Sequence, residues 1–163
     1  SAHTSYSASK FAVKGFSEAL VNDCRLNAPH VKVSVVMPGH IGTSIVINSG
    51  TILGRSPKDM SDDQLEEVRE RIESMGFPLG DATPDQIRMF MQMRAEQFRD
   101  DAPMTAGEAA SVILDGVREQ RWRILVGKDA EVLDRLVREN PEEAYEQSFM
   151  ERLLAQSEWA LGS

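Results

Sequence analysis

Val31-Lys32-Val33-Ser34-Val35-Val36-Met37-Pro38-Gly39-His40-Ile41-Gly42-Thr43 is the stretch on which the reading of the fold turns. Its first seven residues are β-branched or apolar at nearly every second place, which predicts a strand over 31–37. Pro38 has no amide hydrogen and Gly39 tolerates a tight turn, so the pair ends the strand. Upstream, Phe11, Ala12, Phe16, Ala19 and Leu20 recur at helical spacing before Pro29, predicting a helix from Thr4 or Ser5 to Asn27. Helix and strand together point to an α/β arrangement.

Downstream, Ser61-Asp62-Asp63-Gln64 and Thr83-Pro84-Asp85-Gln86 read as capping boxes. The helices they open carry Leu65, Val68, Ile72 and Met75, then Ile87, Phe90 and Met91, with residues 76–80 between them. Gly50-Thr51-Ile52-Leu53-Gly54 has two glycines and opens no βα turn, so it reads as loop. Thr105-Ala106-Gly107-Glu108 opens a further helix with Ala109, Val112, Ile113 and Val117, and Trp122-Arg123-Ile124-Leu125-Val126-Gly127 reads as a second strand. The two strands flank a helix and should pair in parallel. Val132, Leu133, Leu136 and Val137 mark another helix, and Asn140-Pro141-Glu142-Glu143 should start the last.

A two-stranded parallel sheet is not a fold by itself, because parallel sheets are buried on both faces and have more strands. The first strand is therefore expected to have a neighbour that this chain lacks. Ser1-Ala2-His3-Thr4-Ser5 runs almost directly into a helix, without an initiator methionine, so the chain is expected to be cut from something longer.

With 163 residues and 41% hydrophobic content, the chain can supply a core. A net charge of -8 without a basic patch argues against nucleic acid as a partner. No apolar run approaches the ~20 residues that span a bilayer, and the single cysteine, Cys24, fits a reducing compartment, so a cytoplasmic protein without a membrane span is expected. Cys24 reads as packing. His3, His30, His40 and Cys24 give no metal-ligand spacing, and no metal is expected.

The chemistry is carried by Tyr6-Ser7-Ala8-Ser9-Lys10. Residues four apart share a helix face, so a phenol and an ammonium lie side by side. A phenol unaided keeps its proton to about pH 10 and needs a nearby cation to exchange it near neutrality. Lys10 is placed to be that cation, although the same spacing occurs on ordinary surface helices.

Tyr6-x-x-x-Lys10, followed one strand later by Pro38-Gly39-x-Ile41-x-Thr43, resembles the short-chain dehydrogenase/reductase family in its C-terminal portion. The resemblance implies the end of a Rossmann-like, doubly wound parallel sheet of about seven strands, two of them here and five missing upstream, with an inserted helical substrate lid. It divides the single domain into the catalytic helix, strand and nicotinamide-side loop (1–43), the lid (44–104), a helix and the last strand (105–128) and C-terminal helices (129–163).

The same resemblance implies an NAD(P)-dependent oxidoreductase acting on CH-OH donors, with hydride passing between nicotinamide and an alcohol or ketone. Tyr6 would be the acid-base, and Lys10 would assist it and bind the nicotinamide ribose. Pro38, Gly39, Ile41 and Thr43 would lie against the cofactor, with the Ile41 backbone and the Thr43 hydroxyl holding the carboxamide. The residues choosing NAD or NADP follow a strand this chain lacks, and the family's catalytic serine also lies upstream, so neither Ser1 nor Ser5 takes its place. The intact protein would be a homodimer or homotetramer.

His40, at the variable position of the motif, would face the nicotinamide or substrate, or else is a solvated or packed loop histidine. Met60, Met75, Met89, Met91, Met93 and Met104 are either core of the lid helices or the wall of a pocket. The second reading makes Met89 and Met93 substrate contacts and the substrate a bulky, apolar alcohol or ketone. Without the glycine-rich turn the chain alone is expected to be inactive, and the alternative is a non-catalytic oligomerisation or binding fragment of such a protein.

Overall fold

The structure is a computed structural model in which residues 4–74 and 76–157 are described. It divides into two units, one of Ser1–Ile41 with Pro103–Gly162 and one of Gly42–Ala102. The readings placed on Ser1, His3 and Met75 fall outside the described residues.

In the first unit, helix α1 (Thr4–Asn27) has the predicted length, and the chain turns at Pro29 and His30 just beyond its end. Its packed stripe is not the predicted one. Lys14, Ser17, Val21 and Cys24 are at least half-buried, with Cys24 the most, and of the predicted residues Leu20 is half-buried whereas Phe11, Ala12, Phe16 and Ala19 are exposed. Periodicity found an apolar stripe, but α1 packs chiefly on strand β1 (Val35–Pro38), which reaches only one side of the helix.

β1 pairs in parallel with β4 (Arg123–Val126), from Val35↔Arg123 to Pro38↔Val126. The predicted strand over 31–37 is thus cut to four residues, since a ladder extends only as far as its partner. Before the ladder begins, the Ser34 hydroxyl donates to the Arg121 carbonyl at 2.8 Å and the Val35 amide to the Trp122 carbonyl at 2.7 Å. A second pair, β2 (Ile41–Gly42) with β3 (Met104–Thr105), was not expected from the sequence and lies where the chain leaves this unit and re-enters it.

Helix α5 (Ala106–Arg118) opens with the predicted capping box: Thr105 Oγ1 accepts from the Glu108 amide while the Glu108 carboxylate accepts from the Thr105 amide at 2.9 Å. Ala109 buries itself with Ile124 and Val126, and Ile41, Met104, Val112 and Ile113 pack around them. Gly116 lets the helix approach closely, because a Cβ there would sit 2.7 Å from Ile124 Cδ1. Beyond β4, helix α6 (Lys128–Glu139) and helix α7 (Gln147–Gln156) share a core of Val132, Leu136, Phe149 and Leu153. The last helix does not start at Asn140: Pro141–Tyr145 forms a 3₁₀ turn that reverses the chain and lets Phe149 and Leu153 meet α6. The Arg123 guanidinium pairs with Asp134, which also accepts from Arg138 at 3.1 Å.

The second unit contains α2 (Ile45–Ile52), a 3₁₀ turn (Pro57–Asp59), α3 (Asp62–Ser74) and α4 (Pro84–Asp100). Two of these helices begin at the predicted capping boxes, with Ser61–Gln64 and Thr83–Gln86 each bonded reciprocally. α2 corrects the sequence reading, because Gly50, Thr51 and Ile52 are helical and only the following residues turn. Gly54, at φ 64°, supplies the left-handed residue that ends this segment. Met60, Leu65 and Ile87 form the core, closed by Val68, Leu79, Ala82 and Met91. Arg88 staples it by donating to the Met60 carbonyl at 2.9 Å and to Asp85 at 2.9 Å, and Arg69 caps the Gly80 and Ala82 carbonyls.

Candidate active site

Tyr6 and Lys10 lie one turn apart on α1, in the first half of a helix that is free of proline and begins at Thr4. The Lys10 ammonium stands 5.2 Å from the centre of the Tyr6 ring, on its face. A cation at that distance is attracted by the ring's negative face, which holds the two side chains together. Both are exposed, Tyr6 at 62%, so both polar ends are open to a ligand or to solvent.

The end of β1 is built differently. The Gly39 amide donates to the Val126 carbonyl at 2.9 Å, one residue beyond the last ladder pair. There β4 stops, because Gly127 at φ 102° swings the chain into α6. The carboxylate of Asp129 takes over: Oδ2 accepts from the His40 amide at 2.6 Å and Oδ1 from the Ala130 amide at 2.9 Å. Asp129 is 1% exposed. A carboxylate can be buried at tolerable cost when hydrogen bonds replace its water, and here backbone amides do so.

This contact explains Gly39. The space that a Cβ would fill is occupied by the Asp129 carboxylate, so the approach the glycine permits is that of an acidic side chain of the same chain. His40 is 3% exposed, which fits the packed reading of this residue and not a solvated one. Ile41 is half-buried on the Ala109, Ile124 and Val126 cluster.

The first unit also has an open groove of about 590 Å³ between α1, the sheet and α6. Phe11 and Lys14 line it together with Met37, Pro38, Gly39 and Leu133, so the Pro-Gly turn and α1 face a common space. Tyr6 and Lys10 are not among its lining residues.

In the second unit Thr43 is half-buried just before α2. A cleft of about 400 Å³ is lined by Val46, Ile47, Met91 and Ala95, with Arg55 and Lys58 at its edge. Met89 and Met93 are exposed at 72% and 44% and do not line it. Met60 is core. The methionine that faces the cleft is Met91, which also closes the core.

The sequence reading missed Asp129 and the cleft. An acidic residue in the first turn of a helix is ordinary, and the signal that could have flagged it is its place two residues after the glycine that ends an apolar strand. Among the described residues no group of three or more His, Cys, Asp and Glu side chains could hold a metal ion, and no helix is long and apolar enough to cross a membrane.

Residues 1–52 match the family model for short chain dehydrogenase. The matched portion contains Tyr6, Lys10 and the whole Pro38 to Thr43 motif, and it supports membership of the short-chain dehydrogenase family, a family of oxidoreductases acting on small molecules, on fewer than half of the 163 residues. The helices with short parallel strands are compatible with part of a Rossmann-like fold. No curated protein and no solved structure matches the chain.

Proposed function

We propose that the chain carries the acid-base and nicotinamide-side parts of an NAD(P)-dependent oxidoreductase acting on an alcohol or ketone. The observation that carries this reading is the exposed Tyr6 and Lys10 pair on one face of α1, inside the portion that matches the family. The donor set on α1 suits the ribose end of the cofactor: an ammonium at Lys10 and a phenol at Tyr6. The phosphate end finds no counterpart among the described residues, since Gly50 lies within α2 and Gly54 ends that segment without opening a helix from a strand. The cofactor, when bound, supplies or accepts the hydride.

Tyr6 donates its hydroxyl proton to a carbonyl oxygen or takes it from a carbinol. Lys10 lies beside the Tyr6 ring and offers its ammonium to ribose hydroxyls. Pro38, Gly39 and Ile41 form the wall that orients the reacting ring, and residues 44–104 act as the substrate lid. The substrate is a bulky, apolar alcohol or ketone in this reading. The intact protein is a homodimer or homotetramer in this reading.

Tyr6→Phe in the full-length protein tests the assignment. It should lower kcat by at least about a hundredfold and leave cofactor affinity, measured by fluorescence titration, within about twofold. A variant retaining near-full turnover rejects Tyr6 as the acid-base. A non-catalytic oligomerisation or binding role is the second reading, favoured by the exposed Phe11 and Phe16 of α1, and a protein that never oxidises or reduces nicotinamide with an alcohol or ketone would support it.

A further inference from the structure

The geometry points to Asp129 as a positioning residue for the nicotinamide-side wall: its buried carboxylate fixes the backbone at Gly39 and His40, and so the direction in which Ile41 leaves the sheet. This rests on the reading of residues 38–43 given under Proposed function. Three observations converge on it. The parallel ladder ends at Pro38↔Val126, after which Gly127 turns β4 away, so the chain after Gly39 loses the strand partner that would have held it. Asp129 Oδ2 replaces that partner by accepting the His40 amide at 2.6 Å. The carboxylate cannot swing aside freely, because Oδ1 is held by the Ala130 amide at 2.9 Å and the side chain is 1% exposed.

The arrangement is reciprocal, since Gly39 must lack a side chain for the carboxylate to reach the His40 amide. A charge-assisted bond to a backbone amide is stronger than a neutral one, and in a dry site it restricts the turn to one geometry. Asp129 is hydrogen-bonded to backbone amides and not to Tyr6 or Lys10, and its effect on hydride transfer passes through the backbone it holds.

The test uses the full-length protein with Asp129→Ala, Gly39→Ala and the double variant Gly39→Ala with Asp129→Gly. Hydrogen exchange at the His40 amide should quicken at least about tenfold in D129A and in G39A, while the ladder amides of Val35 and Met37 keep their protection. The double variant should be no worse than either single change, because the clash and the bond are one interaction. Cofactor Kd should rise about tenfold or more in D129A, with kcat at saturating cofactor within about threefold. Unchanged protection at His40 overturns the role of Asp129. Faster exchange there without any loss of cofactor affinity leaves Asp129 holding the turn, and instead rejects residues 38–43 as the nicotinamide-side wall.

Discussion

Single residues decide how closely the elements of the first unit approach. Gly39 and Gly116 act alike, each removing a Cβ where another side chain must pass: Asp129 at the first, Ile124 at the second. Gly116→Ala would push a methyl to within 2.7 Å of Ile124 Cδ1, and Ile124 is fully buried and cannot yield without moving the sheet. We expect this substitution to cost about 1–3 kcal/mol of stability, read as a lower urea midpoint at unchanged slope. Gly107→Ala on the same helix has open space around it and should change the midpoint little or raise it, since alanine favours a helix over glycine. Equal losses at both positions would mean that α5 does not pack on β4 as described.

The elements owe their ends to local chemistry. Three helices open where Ser61, Thr83 and Thr105 stand three residues before Gln or Glu, and all three boxes close reciprocally. The box at Thr105 is titratable. Hydrogen bonds from the Thr105 hydroxyl, and then from its amide, hold the Glu108 carboxyl below the ordinary glutamate value, with desolvation opposing them. A carboxylate whose folded value is depressed adds stability above its unfolded value, near 4.5, and that contribution disappears as pH falls through the lower folded value. Thermal melts below about pH 5 should therefore show an acid-side loss that is smaller in Glu108→Gln, which cannot titrate. Identical acid-side slopes in the two proteins would show that Glu108 does not contribute. The Thr83 box carries glutamine in place of glutamate and should show no such dependence.

At the scale of the whole molecule, much apolar surface is left uncovered on α1. Phe11, Val13 and Phe16 are 69%, 62% and 69% exposed, and Val36 on β1 is 37% exposed. Large apolar side chains left so open to water are surface that a second copy of the chain can cover. The 163-residue chain should accordingly self-associate, its average mass by sedimentation rising above 18.1 kDa between about 1 and 100 µM. Val13→Ser with Phe16→Ser should return it to a monomer, and a wild-type chain that stays monomeric across the range contradicts the expectation.

Much of the fold was legible in the sequence because it is written locally. Thr4–Asn27 follows from helical spacing and a proline stop, three helix starts from capping boxes, and the parallel pairing of β1 with β4 from the helix between them. Tyr6 beside Lys10 follows from helical pitch alone. What the sequence could not supply depended on partners distant along the chain. The strand over 31–37 shrank to four residues because β4 is four residues long, and the apolar stripe of α1 stayed exposed because β1 reaches only its other side. The 50–54 segment became helical against its glycines, and α7 began later than Asn140. Asp129 shows the division most plainly: the sequence offers an acidic residue in a helix's first turn, 89 positions from His40, and only the closing of the sheet brings its carboxylate to that amide. Local pattern determines which elements form and where they start, whereas the identity of a group that fills a buried space is settled by what tertiary packing places opposite it.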